Sequence, residues 1–187
     1  MITDALVNFV PLGGNLSLVA GAGIAIPSTY VVDLLGNGVG QAPRNIIGNA
    51  TVFGEDAGVG GKRPELNITI GTSLAGAAGT TLKAALQAAV DLGAGGNYQP
   101  GTWTDVDSQD NISIANAVAG AVIFRSPFIP TMPANLRPRF LRLLFSPQLA
   151  GVTPGGNFTA GTIGSALVTM VRDDQANKFA AKNFSVA

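Results

Sequence analysis

Residues 54–65, GEDAGVGGKRPE, are the segment of this sequence that comes closest to a phosphate-binding loop. A P-loop needs a glycine, four free residues, Gly-Lys and then a hydroxyl residue that binds magnesium. Here Asp56 occupies the first glycine position, and Arg63 follows Lys62. Because a carboxylate inside such a loop would repel a phosphate, we interpret the segment as a solvent-exposed connection.

Three aspartates in the run DVDSQDN could supply oxygen ligands to calcium: Asp105, Asp107 and Asp110. The EF-hand loop requires glycine at its sixth position and glutamate at its twelfth. Those positions hold Asp110 and Asn116. An irregular calcium site is one alternative, because calcium accepts varied geometry. We interpret the run as a solvated acidic loop between strands.

The residue types on which most enzyme active sites depend are missing. The chain contains no cysteine and no histidine, which excludes disulfides, thiolate nucleophiles and the usual zinc and haem sites. Two dinucleotide-like glycine patterns, in GAGIAIP and LGNGVGQAP, lead into a proline where a helix would have to begin. Paired carboxylates such as Glu55 and Glu65 leave a hydrolase as one alternative. We predict no enzymatic activity and no cofactor.

A carbohydrate-binding surface is another alternative. Trp103, the one tryptophan, is close in sequence to Tyr98, and two such rings could form a platform on which a sugar stacks. Phenylalanine, however, supplies nine of the aromatic residues, and we expect these phenylalanines to fill a core.

Composition predicts one folded domain, residues 1–187, built from many short elements. Hydrophobic residues make up 47% of the chain, and 25 glycines and 11 prolines punctuate it, which is typical of strands joined by turns. Charged residues make up only 12%, about half the usual share of ~25%. A weakly charged surface of this kind suits a protein that packs against other proteins.

Neither a membrane nor a nucleic acid is an expected partner. No basic residue precedes Arg44, so we expect no secretory signal. The longest early apolar run, LSLVAGAGIAIP, is too short to span a bilayer. The formal net charge is +0, whereas nucleic-acid-binding domains are usually basic.

The charges are segregated along the chain. Acids outnumber bases in residues 1–110, whereas residues 111–172 contain arginines and no acid. Segregation of this kind permits sign-matched contact with a neighbouring protein. The alternative is that folding interleaves the two segments and cancels the asymmetry. The sequence alone leaves both interpretations open.

Alternating apolar residues predict strands. In LNITIGTSL, residues 66–74, apolar and polar side chains alternate as in a half-buried strand. Residues 82–90 fit a helix or a strand, and we favour a strand that pairs with the preceding one through a hairpin at AGAAGT. RFLRLLFSP is apolar on both faces, which predicts a strand covered on both sides or lying at an interface.

Further short strands are predicted in NLSLVAGAGIAIPS, STYVVDLL, NISIANAVAG, AVIFRSPFIP and NFTAGTIGSALVTMVRDD. Glycine, proline and asparagine separate these segments, and no sustained alternation of strands with helices is present. The pattern predicts an all-β fold, a jelly-roll type β-sandwich with short turns and extended N- and C-terminal segments.

The segments VDLLGNGVGQAP, LNITIGTSL, SIANAVAGAVIFRSPF, RPRFLRLLFSP and GNFTAGTIGSALVTMVRDD occur in this order. Their order and spacing resemble the capsid cement proteins, which decorate the heads of tailed bacteriophages. The resemblance extends from about residue 30 to the end of the last segment. The F-T-A-G-T-I unit that leads to Arg172, Asp173 and Asp174 is its most specific part.

The resemblance implies a jelly-roll protein on the outer surface of an icosahedral virion head. There it would bind the phage major capsid protein, bridge neighbouring subunits and stabilise the expanded shell. It would be made in the cytoplasm of the host bacterium. Neighbouring copies of the chain would also be partners, as a homodimer or a trimer.

Candidate interface residues are basic and aromatic side chains: Arg137, Arg139, Arg142, Lys178, Phe179 and Phe184. No motif of the family assigns a specific contact to them. The terminal segments, residues 1–15 and 176–187, are expected to act as arms that reach onto neighbouring proteins, for example by adding a strand to an exposed sheet edge. The alternative is that these ends pack on their own domain.

Overall fold

Two antiparallel β-sheets pack face to face in this protein. A computed structural model describes residues 2–33, 65–93, 99–127, 138–149 and 155–170. The predicted features outside these ranges include residues 54–64 of the glycine-rich loop with Glu55, Tyr98, Arg137, the residues Arg172, Asp173 and Asp174, and the segment 176–187 with Lys178, Phe179 and Phe184.

Within the described ranges, each sheet contains five strands. The first contains β1 (Ile2–Val10), β2 (Leu16–Ser17), β5 (Glu65–Gly76), β8 (Val122–Pro127) and β10 (Phe158–Met170), in the order β1-β10-β5-β8 with β2 also on β10. The second contains β3 (Ile26–Pro27), β4 (Val32–Asp33), β6 (Thr80–Ala89), β7 (Thr104–Ser113) and β9 (Phe140–Leu149), in the order β3-β9-β6-β7 with β4 also on β9. A 3-10 helix, Ile114–Asn116, follows β7.

The path of the chain between the sheets is that of a jelly roll. Strands β1 and β2 lie along one side of β10, and the two-residue strands β3 and β4 lie along one side of β9. If β1 and β2 are counted as one interrupted strand, and β3 and β4 as another, each sheet has four strand positions. The chain then alternates between the sheets except where β6 leads into β7. This order of antiparallel strands is the jelly-roll arrangement, and the predicted fold class is confirmed.

The alternation along β5 places one set of its side chains in the core, as predicted. Leu66, Ile68, Ile70 and Leu74 are buried. Thr72, the polar residue in this apolar series, is exposed, because the register between β5 and β10 shifts near this point. Its N–H donates to the Thr162 Oγ1 of β10 at 2.9 Å.

The predicted strand at 82–90 is confirmed as β6, but the predicted hairpin is wrong. Strand β6 pairs with β7 and β9 in the second sheet, while β5 pairs with β10 and β8 in the first. The connection AGAAGT therefore crosses between sheets. Local turn residues signal that the chain reverses, but they do not determine which sheet the next strand joins.

The predicted acidic loop at 105–111 is also wrong, since these residues belong to β7. Strand β7 lies at the edge of the second sheet and is largely exposed. Charged side chains suit an edge strand because they discourage pairing with other chains. Asp105 and Asp110 are exposed and Asp107 is half-buried, on a strand and not in a loop. The predicted strand in NISIANAVAG ends at Ser113, whose Oγ accepts a hydrogen bond from the Ala115 N–H and caps the 3-10 helix.

Strand β9 is covered on both faces, as its sequence predicts. Leu141, Leu143 and Phe145 belong to the main hydrophobic core. On the opposite face Phe140 and Gln148 are also buried, although neither belongs to that core cluster. Within the described ranges, none of the helical structure has the length and apolar character of a membrane-spanning helix.

The N-terminal segment, one of the predicted arms, forms the edge of the first sheet. Residues 2–10 are strand β1, which pairs with β10 of the same chain. Phe9 and Val10 are fully buried, and the Phe9 carbonyl accepts a hydrogen bond from the Tyr30 N–H at 3.0 Å. A contact between this edge and a neighbouring protein stays a prediction.

Gly161 allows β10 to pass closely beside β5. Its φ is +130°, and a Cβ there would overlap the Leu74 side chain and lie 3.0 Å from the Leu74 Cα. Gly120 offers a comparison, because its φ is +82° and a Cβ there would meet no atom within 4 Å. The two positions therefore separate steric overlap from backbone strain.

Replacing Gly161 by alanine should lower the free energy of unfolding by about 3–4 kcal/mol, because overlap with Leu74 adds to the ~1–2 kcal/mol cost of the left-handed backbone. In the matched variant Gly120→Ala the free energy of unfolding should fall by only the ~1–2 kcal/mol backbone cost, because the added Cβ meets no atom within 4 Å. Urea denaturation of both variants measures the difference. Equal losses would show that β10 and β5 are not packed this closely.

Candidate functional site

Polar side chains from three strands meet on the outer face of the second sheet. Lys83 and Gln87 alternate along β6 with residues that face the core, so they point away from it. The register places Gln87 between Arg142 of β9 and Asp105 of β7. We call this group the outer-face cluster: Lys83, Gln87, Trp103, Asp105, Asp110, Arg142 and Gln148.

Lys83 lies between two carboxylates of β7. Its Nζ is 2.9 Å from Asp105 Oδ2 and 3.7 Å from Asp110 Oδ1. Gln87 Nε2 donates to Asp105 Oδ1 at 2.7 Å. Gln148, which is 2% exposed, donates from Nε2 to Asp110 Oδ1 at 3.2 Å and accepts the Asn111 N–H at 2.8 Å. The cluster thus ties the edge strand β7 to both β6 and β9.

These contacts shift the pKa values of Lys83 and Asp105, the ion pair at the centre of the cluster. Burial would raise the pKa of Asp105, but hydrogen bonds from Gln87 and Lys83 and the charges of Lys83 and Arg142 hold that pKa below its usual value. The hydrogen bond to Asp105 is the main reason that the pKa of Lys83 is raised, and it outweighs the effect of burial. Both groups are therefore charged at neutral pH.

Arg142, a predicted interface residue, is held within the cluster. Its Nε donates to Gln87 Oε1 at 2.8 Å, and its guanidinium lies over the Trp103 ring, 4.3 Å from the centroid. A cation in this position is attracted to the ring face. One face of Trp103 is therefore already occupied, which leaves less of the ring for the stacking on which the carbohydrate alternative depends.

Arg139, a second predicted interface residue, is buried and paired. Its Nη1 donates to Asp91 Oδ2 at 2.7 Å, and its guanidinium lies 5.4 Å from the centroid of the Phe140 ring. Burial would raise the pKa of Asp91, but the backbone N–H groups of Gly93 and Gln99, together with Arg139, lower it. Arg139 thus anchors the start of β9 beside the end of β6.

Folding interleaves the acidic and basic segments of the chain in the described ranges. Asp91 and Asp105 come from the acid-rich residues 1–110, whereas Arg139 and Arg142 come from the arginine-containing residues that follow. Arg139 is paired directly with Asp91, and Arg142 acts electrostatically on Asp105. The charge asymmetry is therefore partly cancelled within the molecule, as the second of the two alternatives predicts.

The described residues do not assemble a metal site. No group of three or more acidic side chains is arranged in them to hold an ion. An open groove of about 320 Å³ lies between β7 and β8, lined by residues that include Asp110, Asn111, Asn116 and Val122. Asp110 is its one charged lining residue, and it is already bound by Gln148 and Lys83.

Sequence reasoning missed three members of the outer-face cluster, Lys83, Gln87 and Gln148, and it also missed Asp91, the partner of Arg139. A signal for two of them was present, since Lys83 and Gln87 are the polar residues on one face of a segment otherwise rich in alanine and leucine. The signal did not reveal their partners, because those partners come from β7 and β9, at least eighteen residues away along the chain.

Comparison with protein-family models finds no family that matches this chain. Comparison with curated proteins finds no matching relative.

The ion pair between Lys83 and Asp105 should contribute a coupling energy of about 0.3–1 kcal/mol at pH 7, the range for partly exposed pairs. Comparing the wild type with Lys83→Met, Asp105→Asn and the double variant by urea denaturation isolates this energy. Because the folded pKa of Asp105 is lowered, its contribution is complete above the unfolded pKa of about 3.9. The coupling should therefore decline as the pH falls below that value and be lost below the lower folded pKa, and a coupling that persisted in stronger acid would exclude an ionic origin.

Proposed function

We propose that this chain is a capsid cement protein. It would bind the outer surface of a bacteriophage head, bridge neighbouring major capsid subunits and stabilise the expanded shell. The observation that carries the proposal is the agreement between the jelly-roll strand order and the fold implied by the sequence resemblance, which extends from about residue 30 to Asp174.

The agreement matters because the fold alone does not assign a function. Jelly rolls occur in capsid proteins, in lectins and in enzymes. The sequence resemblance favours the capsid proteins among these classes. The strand order is an independent test of that choice, because it does not follow from the resemblance. An open sheet or a helical protein would have removed the basis of the proposal.

The internal organisation of the sandwich suits a protein that holds other subunits together. Core side chains from both sheets are buried, and ion pairs or hydrogen bonds join β7, β6 and β9 on the outer face. A rigid body of this kind loses little conformational entropy when it binds. Many copies on one lattice then add weak contacts into a strong collective effect, since linked binding events gain effective concentration.

The proposed partners are the major capsid protein and neighbouring copies of the chain. The proposed location is the outer surface of the virion, after synthesis in the host cytoplasm. We propose no cofactor, no enzymatic activity, and neither nucleic acid nor membrane as a partner. The carbohydrate alternative is weaker, because Arg142 covers one face of Trp103.

Purified protein should bind expanded phage heads that lack it, and binding should saturate at a copy number set by the capsid lattice. Decorated heads should retain their DNA at higher temperature than bare heads, because each bound copy joins neighbouring subunits. Counting bound copies by quantitative gel analysis and following DNA release on heating test both expectations.

The variant Trp103→Ala is the control for this experiment. Trp103→Ala should decorate heads as the wild type does, because the ring is not part of the proposed contact with the shell. Absence of binding to heads would refute the proposal. Binding that is lost both in Trp103→Ala and in the presence of free sugars would favour the carbohydrate function instead.

Removing residues 176–187 should weaken head binding at least about tenfold if this segment is an arm that docks on a neighbour. The double variant Phe179→Ala with Phe184→Ala should reproduce most of the loss, because buried aromatic anchors dominate such contacts. Lys178→Ala with Lys182→Ala is the matched comparison, expected to change affinity mainly at low salt. Unchanged decoration by the truncated protein would exclude the C-terminal arm.

A further inference from the structure

The open groove lies along one side of the sandwich, between an edge strand of each sheet. Within the described ranges, β7 ends the strand order of the second sheet and β8 ends that of the first. Residues 109–113 of β7 line the groove together with Asn116, Val122 and Ile123. Its volume of about 320 Å³ is at the lower end of the ~300–1,000 Å³ range of ligand-binding pockets. The size suits a short ligand.

The lining of the groove is polar but carries little charge. Four of the lining side chains are neutral hydrogen-bonding groups: Gln109, Asn111, Ser113 and Asn116. All four residues are exposed. Asp110 is the one charged lining residue, and its carboxylate is already bound by Lys83 and Gln148. A ligand in the groove therefore meets closely spaced donors and acceptors and little net charge.

Three aliphatic residues complete the lining: Ile112, Val122 and Ile123. Val122 is 49% exposed, so a ligand can contact its side chain. Ile112 and Ile123 are buried members of the main hydrophobic core, which attaches both sides of the groove to the interior of the sandwich. The groove thus combines neutral polar groups with a small aliphatic surface.

Side-chain hydrogen bonds hold the polar wall in place. Gln148 Oε1 accepts the Asn111 N–H at 2.8 Å, and Gln148 Nε2 donates to Asp110 Oδ1 at 3.2 Å. At the end of β7, Ser113 Oγ accepts the Ala115 N–H at 3.3 Å. Because this wall is fixed before a ligand arrives, binding loses less conformational entropy than binding to a loose segment would.

The chemistry of the lining restricts the class of ligand. An anion would be repelled by Asp110, and none of the lining residues is cationic. A metal ion would meet one carboxylate, which Lys83 already contacts. An apolar ligand would cover carboxamides without offering them hydrogen bonds, and burial of unpaired polar groups costs free energy. A neutral ligand with several hydroxyl groups and an aliphatic face satisfies all of these conditions.

An extended peptide fits this groove less well than a sugar does. A peptide that adds to a sheet edge needs a regular run of unpaired backbone groups. The pairing of β7 with β6 shifts register between Gln109 and Ile112, and Asn111, which lies within that interval, has a φ of +56°. An irregularity of this kind interrupts the edge and discourages the addition of a strand.

We propose that the groove between β7 and β8 binds a short neutral saccharide. A sugar hydroxyl both donates and accepts, and a carboxamide offers a donor and an acceptor in one plane, so Gln109, Asn111 and Asn116 match neighbouring hydroxyls. Val122 supplies the aliphatic contact for the C–H face of the ring. The site is distinct from the predicted stacking platform, because Trp103 does not line the groove. The inference does not rest on binding to phage heads.

NMR titration of the isotope-labelled full-length protein tests the proposal with a panel of neutral sugars: glucose, galactose, mannose, fucose, N-acetylglucosamine, lactose and maltose. At least one of them should shift the amide signals of residues 109–113 and 116, with a Kd of about 1 mM, as expected for a ligand of this size. The uronic acid of the sugar that binds best should bind at least about threefold more weakly, because its carboxylate would lie near Asp110.

Two variants in the groove should each weaken sugar binding about threefold to tenfold, the effect of losing one hydrogen bond: Gln109→Ala and Asn116→Ala. Both residues are exposed, so the variants should fold, which thermal unfolding checks. Gln99→Ala is the matched control, because Gln99 is also an exposed glutamine and does not line the groove. Gln99→Ala and Trp103→Ala should bind the sugar as the wild type does.

The proposal is overturned if no sugar of the panel shifts the amide signals of residues 109–113, or if Gln109→Ala and Asn116→Ala bind like the wild type. Shifts centred on Trp103 would also overturn it and would favour the stacking platform. Loss of head decoration in Gln109→Ala and Asn116→Ala, with no sugar bound by the wild type, would assign the groove to a protein partner. In that case the proposed function would survive and the saccharide site would not.

Discussion

The structure depends on one constraint, that the apolar inner faces of two sheets must cover each other. Strands β5 and β10 present Ile68 and Ile163 from one sheet, and β6 and β9 present Leu86 and Leu143 from the other. Neither sheet could remain exposed to water on this face, because burial of such side chains is the main favourable contribution to folding. The chain satisfies the constraint by crossing repeatedly between the sheets.

The outer face of the second sheet shows how the few charges are used. Strand β9 is buried on its core face and, at Phe140 and Gln148, on its outer face as well, and a charge near a buried surface needs a partner. Arg139 pairs with Asp91. Arg142 donates to Gln87 and lies over the Trp103 ring. Lys83 binds the carboxylates of β7. Charges that are paired within the molecule are less available to contact a partner, which weakens the prediction that Arg139 and Arg142 are interface residues.

The strand topology also brings distant parts of the chain together. Crossing between sheets gathers alternate connections at opposite ends of the sandwich, so residues far apart in the chain share one environment. The Gly23 N–H, for example, donates to the Gly156 carbonyl at 3.0 Å, which joins the connection after β2 to the connection before β10.

The sequence by itself determined where several of the strands lie. The period-two alternation in 66–74 and the two apolar faces of β9 predict strands, because side-chain direction depends only on neighbouring residues. Only the tertiary structure decided that β6 leaves the sheet of β5, that the acidic run 105–111 is an edge strand, and that Lys83, Asp105 and Arg142 meet. Those outcomes depend on pairing between distant segments, and local preference is overridden wherever burying the core requires it.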